Sequence, residues 1–240
     1  WSTDLTFSTY NDRWKERDPN WKPAAYQKEQ DPIRGVFAYV ADGLLQPGEE
    51  APAHQPQLLP GQVKLKNING DDKLNEEDMV LIGRNDPKFI FGFNNNFSYK
   101  NFDLNIYMYG QVGKIAGANS YYDAWGSYGN RIKLGQNVPV SFKDAWSSDN
   151  QTSTRPSFIE SAYGTGDLFL QKISFLRIRN ITLGYTVPIS KSICNRLRVY
   201  ADVNNPCVWT NWKGQDPETD SNTNAYPNVT SFSIGVDISF

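Results

Sequence analysis

FIFGFNNNFSYKNFDLNIYMYGQ, residues 89 to 111, decides the fold. In its first half Phe89, Phe91, Phe93, Phe97 and Tyr99 fall on one side of an extended chain, and Gly92, Asn94, Asn96 and Ser98 on the other. In its second half Phe102, Leu104, Ile106 and Met108 oppose Asp103, Asn105, Tyr107 and Tyr109. Successive side chains of a β-strand point to opposite faces, so this period of two predicts a pair of strands with one oily and one wet surface. Lys100 and Asn101 lie between them and predict a tight antiparallel hairpin. Each half has roughly the 9–11 residues that a tilted strand needs to cross a bilayer.

The same pattern recurs along the chain. RLRVYADVNNPCVW sets Leu197, Val199, Ala201 and Val203 against Arg198, Tyr200, Asp202 and Asn204. SFSIGVDISF sets Phe232, Ile234, Val236, Ile238 and Phe240 against Ser233, Gly235, Asp237 and Ser239. WSTDLTFSTY supplies a further strand with Leu5 and Phe7 outward. FLRIRNITLGYTVP begins with Leu176 and Ile178 on one face and continues with Ile181, Leu183, Tyr185 and Val187, so its phase slips by one near Arg179 and Asn180. One extra residue in a strand does this, which predicts a β-bulge there. Pro188, which has no N–H for the ladder, should end that strand.

Connections between the six strands alternate in length. Those at Lys100–Asn101 and at SKSICNR are short, whereas residues 11–87, 113–168 and 211–229 are long and rich in Gly, Pro, Asn and Asp. Short turns on one side and long loops on the other are the pattern of outer-membrane barrels, with periplasmic turns and extracellular loops. The fold class read from this is all-β: an antiparallel transmembrane β-barrel segment with long extracellular loops, and Phe240 on the periplasmic side.

Composition agrees. Of 240 residues, 39% are hydrophobic and 14% aromatic, and no stretch approaches the ~20 apolar residues of a membrane helix. Mean hydropathy is -0.59, as expected if oily and wet residues alternate. The net charge of -2 comes from 24 basic and 26 acidic residues mixed along the chain, which argues against nucleic acid as a partner. Cys194 and Cys207 are separated by what reads mostly as strand, so two free thiols are expected. The chain opens at Trp1, already in a strand, and reads as a piece of a longer polypeptide.

Candidate sites lie in the loops. NINGDDKLNEED, residues 67–78, has oxygen-bearing residues at the spacing of an EF-hand-like or dockerin-like calcium loop. Asn67, Asn69, Asp71, Asn75 and Asp78 would offer side chains and Lys73 its carbonyl; Asn67 stands where aspartate is usual, and Asp72 where glycine makes the turn. A polar loop held by its own Asx turns is the competing reading. Tyr121, Tyr122, Trp125, Tyr128 and Trp146 could offer flat rings to a substrate or pack the loop on itself. Trp209 and Trp212 read as girdle residues at the membrane surface. His54 lacks a nucleophile context, and the pairs Glu49/Glu50 and Asp216/Glu218 read as solvated, with no burial to shift a pKa, so no catalytic residue is assigned and the chain is not read as an enzyme.

Five stretches, taken in order, resemble the SusC/RagA group of TonB-linked outer-membrane transporters: residues 35–46, 61–113, 175–188 (FLRIRNITLGYTVP), 211–218 (NWKGQDPE) and the terminal SFSIGVDISF. The resemblance covers most of residues 1–240. It implies about the last six strands of a plugged barrel of about 22 strands in the outer membrane of a Gram-negative bacterium. It implies as partners the rest of the barrel, outer-membrane lipid, TonB acting through an N-terminal plug part that is absent here, and an SusD-like surface lipoprotein as lid. The implied cargo is oligosaccharide, or peptide in a RagA-type importer. No cofactor is required, and calcium at residues 67–78 is a candidate read from the spacing of that loop. Phe240, an aromatic at the end of an alternating strand, resembles the signal read by the barrel-assembly machinery. A surface-attached, non-catalytic glycan-binding β module is the alternative, and it requires the Phe89–Tyr99 face to pack against a second sheet of this chain.

Overall fold

The computed structural model describes residues 1–240 apart from 117–133, 136, 138–139, 159–160, 190–193, 215 and 220–224. Its main feature is one antiparallel sheet of six strands. These are β1 (Ser2–Ser8), β6 (Phe89–Tyr99), β7 (Phe102–Ala116), β8 (Gln171–Val187), β9 (Arg196–Thr210) and β10 (Ser231–Ser239), side by side in that order. Four shorter strands lie between β1 and β6: β2 (Gly35–Ala38), β3 (Ala41–Leu44), β4 (Val63–Leu65) and β5 (Val80–Arg84). They pair as β2 with β5 and β3 with β4.

The hairpin at Lys100–Asn101 is present. Tyr99 pairs with Phe102, and Lys100 adopts a left-handed φ of 55°. β8 ends at Val187, before Pro188.

Register places the predicted outward residues within the strands on one surface. Leu5 faces Phe93 and Phe7 faces Phe91. Phe97 faces Leu104 and Phe93 faces Met108. Leu104 pairs with Leu183, Leu183 with Ala201, and Ala201 with Ile234. Directly paired residues share a face, so this row of side chains runs unbroken across the sheet. The predicted bulge sits at Arg179, where Tyr107 pairs with Asn180 but Met108 with Ile178. The extra residue brings Leu176 and Ile178 into line with Ile181 and Leu183.

A second bulge adjoins it in β9, where Asn180 faces Asn204 but Ile178 faces Cys207. Asn205 has φ 50°, and Pro206 follows it within the strand. A bulge is the place where a central strand tolerates proline, because the ladder is already interrupted there.

The apolar face is bare: Leu5 is 70% exposed, Phe232 80% and Ile234 83%. The Phe89–Tyr99 and Phe232–Ile238 rows lie on the same surface, and among the described residues no second sheet covers them, as the alternative of a self-contained module required. Burial is found instead beyond one end of the sheet. Leu44, Val63 and Leu65 form one core, Phe142 and Ala145 a second, and Ala116, Ile173, Phe175 and Trp212 a third. At about 3.3 Å per residue, the 17 residues of β8 run about 55 Å, longer than a ~30 Å hydrocarbon layer requires even when tilted. The long strands therefore exceed the length that crossing such a layer requires, and their far ends reach the folded loops.

Candidate functional site

The inner face of the sheet carries interlocked polar side chains. Asn105 Nδ2 donates to Asn94 Oδ1 at 2.8 Å and to Asn96 Oδ1 at 2.7 Å. Asn180 donates to Asn204 at 3.0 Å, and the Thr182 hydroxyl donates to Asp202. Arg198 on β9 reaches past β8 to Asp103 on β7 at 2.6 Å and contacts Asp237 on β10 at 3.0 Å. Gly184 lies between them, and a Cβ there would strike both Arg198 and Asp103. Its missing side chain is what lets the ion pair cross a strand. Tyr107 and Tyr109 add two near-parallel rings at 6.5 Å, with the Arg179 guanidinium 5.9 Å from the Tyr109 ring.

Above this face the described part of loop 211–229 folds inward. Trp212 is buried against Phe175, with Tyr109 and Val208 of the inner face packed around the same cluster. The assignment of Trp212 to the girdle is thereby corrected, because its ring sits in a small core on the inner side. Trp209 does point outward, 53% exposed, opposite Leu176.

Asp216 and Glu218 are also corrected. Asp216 is buried and pairs with the buried Arg177 at 2.7 Å. Its carboxylate also accepts the backbone N–H groups of Glu218 and Asn228, both at 2.9 Å. Burial pushes the Asp216 carboxyl up, but these N–H groups and the Arg177 charge outweigh it and hold it below the usual range. Glu218 Oε2 lies 2.7 Å from Arg177 Nε as an ion pair, although the N–H is not aimed to make a hydrogen bond. Burial pushes the Glu218 carboxyl above its usual range despite that neighbour. Sequence alone hid this arrangement because the partner arginine is some forty residues away on β8.

Residues 67–78 form a tight loop. Asn67 Oδ1 accepts the N–H of Gly70, Asn69 Oδ1 that of Asp71, and Asp71 Oδ1 that of Lys73. Asp72 takes a left-handed φ of 60°, supplying the turn for which glycine is usual. Asp78 is fully buried; its Oδ1 accepts from Ile68 and its Oδ2 from Asn75, while Asn75 caps the short helical turn Glu76–Asp78. Its carboxylate thus serves the backbone of the loop. Among the described residues no group of three or more His, Cys, Asp or Glu side chains converges as a metal site.

Tyr121, Tyr122, Trp125 and Tyr128 lie outside the described residues. Trp146 packs against the Leu44, Val63 and Leu65 core and leaves no room for a side chain at Gly61. It joins two loops. Phe240 follows β10 and is 88% exposed. His54 bonds the carbonyl of Leu65 at 2.7 Å, and Cys194 and Cys207 are free thiols. The loop residues also enclose a cleft lined by Trp14, Arg17, Tyr26, Asp31 and Phe37, which no motif signalled. Arg17 lies 3.8 Å from the Trp21 ring and 4.6 Å from that of Trp14.

No sequence-family model matches the chain. It is 27% identical over 236 residues to TonB-dependent receptor P3 of Formosa agariphila, covering 89% of this chain and 23% of that receptor. It is 27% identical over 180 residues to TonB-dependent receptor SusC of Bacteroides thetaiotaomicron, covering 72% of this chain and 17% of SusC. The chain thus spans about a fifth of the length of these relatives. Among solved structures, the RagAB peptide importer in its closed-closed state matches with a TM-score of 0.73 and 20% identity, over 99% of this chain and 27% of that one. The RagAB peptide transporter matches with a TM-score of 0.67 and 22% identity, over 88% and 23%.

Proposed function

We propose, from a chain that resembles TonB-dependent receptors of the SusC/RagA kind over most of its length, that it forms barrel wall and extracellular loops of an outer-membrane nutrient importer. The observation that carries this reading is the unbroken apolar surface on one side of six paired strands, backed by a polar surface on the other. Water penalises the first surface and hydrocarbon the second, so the sheet suits a boundary between the two. In this role the chain performs no chemistry. It lines a passage with Asn, Thr, Asp and Tyr side chains and supplies loops that shape the mouth. Import would be driven through TonB acting on the plug of the complete protein, with an SusD-like lipoprotein as lid.

Oligosaccharide is the cargo this reading favours. Amides, hydroxyls and the flat Tyr107 and Tyr109 rings are groups that match sugar hydroxyls and sugar faces. Peptide is the second cargo, supported by the likeness to the RagAB structures. Isolating the complete receptor from outer membranes and identifying what accompanies it tests both. A co-purifying surface lipoprotein with bound oligosaccharide is the expected result. Peptides alone would move the assignment to the second cargo, and recovery of the receptor in the soluble fraction would overturn the transport reading.

A further inference from the structure

Two stretches that carry the family resemblance, FLRIRN on β8 and DPE in the loop after β9, meet in space. We infer that Arg177, Asp216 and Glu218 form a buried clasp that fixes the described residues of loop 211–229 against the inner face, making Arg177 a positioning residue for cargo passage. The inference rests on the transport reading for its consequence, though not for its geometry.

Arg177 projects from the inner face of β8, where its side chain is 3% exposed, and Asp216 is 4% exposed. The two meet at 2.7 Å, and Glu218 adds a second carboxylate at 2.7 Å from Nε. A buried guanidinium between two carboxylates holds its geometry strongly, because separating them would leave uncompensated charges away from water. The clasp also closes on the far end of the loop. Asn228 donates its backbone N–H to Asp216 and its Nδ2 to Glu218, the latter at 2.6 Å.

The bulges at Arg179 and Asn205 contribute to the same clamp. Arg179, the extra residue of β8, donates from Nη1 to Asn205 Oδ1 at 3.1 Å and to Asn228 Oδ1 at 3.3 Å. Asn205, at the β9 bulge, donates to the carbonyl of Val229 at 3.1 Å, and its own carbonyl accepts from Thr230 at 2.9 Å. A bulge re-aims side chains out of the regular ladder, and here two adjacent bulges aim theirs at one loop. With Trp212 buried at the start of the loop, the described residues of 211–229 are held at both ends. They form a fixed cover over this part of the inner face, and a swinging lid is not what these contacts build.

The test uses the complete receptor in lipid and follows backbone hydrogen exchange. Arg177→Met, and separately the double variant Asp216→Asn/Glu218→Gln, should each raise exchange in 211–229 at least tenfold while leaving the centres of β9 and β10 unchanged. Arg177→Lys should fall between. In cells with matched amounts of folded receptor in the outer membrane, both disruptions should raise the apparent KM for labelled oligosaccharide uptake at least threefold. Unchanged exchange in the variants overturns the clasp; raised exchange with an unchanged KM overturns the positioning role. If Arg177→Met does not reach the membrane, the double variant decides. A wild-type receptor that takes up no oligosaccharide sinks the cargo reading instead, and exchange still decides the clasp.

Discussion

The wall and the loops of this molecule are stabilised by opposite means. In the wall, β10 runs with Phe232, Ile234, Val236 and Ile238 bare on one surface, and the described residues place no core beneath them. In the loops, Leu45, Leu65 and Val63 are almost fully buried, and polar side chains such as Gln55 and Asp78 vanish from the surface because each serves the backbone. The loops therefore hold the pattern of a small soluble protein, and the wall that of a sheet whose solvent on one side is lipid. An interior can compensate for polar groups by hydrogen bonding, but an oily surface of this extent needs an oily surrounding.

Substitutions can break that contrast. Trp212→Ala, in the loop core above the inner face, should cost about 3–5 kcal/mol of local stability, read as loss of exchange protection in 211–229. Leu183→Arg, at the middle of the apolar face, should cost about 2–4 kcal/mol in urea unfolding from lipid vesicles. The same charge at Thr182, one residue away but facing inward, should cost far less. Gly184→Val should cost about 1–3 kcal/mol, since its side chain would displace Arg198 from Asp103. Chelation of calcium should have the smallest effect. If the Asx turns alone hold residues 67–78, chelator leaves the exchange of that loop unchanged, whereas a loop that relies on calcium would lose its protection.

The wall was legible in the sequence and the clasp was not, and the reason is range. Alternation is a local property, so Phe89 to Tyr99 and Ser231 to Ser239 announce their faces in their own letters. The slip at Arg179 announced its bulge in the same way. The second bulge carried a signal in Pro206, a residue that a regular central strand does not accept. Trp212 misled because an aromatic at a strand end suits a membrane girdle as well as a loop core. Asp216 and Glu218 misled because carboxylates in a loop are usually solvated, and only the fold brings Arg177 to them. The short strands β2 to β5 were missed because pieces of three to five residues hold too few alternations to stand out.

The central claim is that the face bearing Ile234 meets lipid while the face bearing Ser233 meets the passage. Nitroxide labels placed one at a time from 232 to 238, in the complete receptor in lipid with Cys194 and Cys207 replaced by alanine, would report it through collisions with oxygen and with a water-soluble nickel chelate. The account predicts high oxygen access at 232, 234, 236 and 238 and higher nickel access at 233, 235 and 237. Equal nickel access at all seven positions would contradict it.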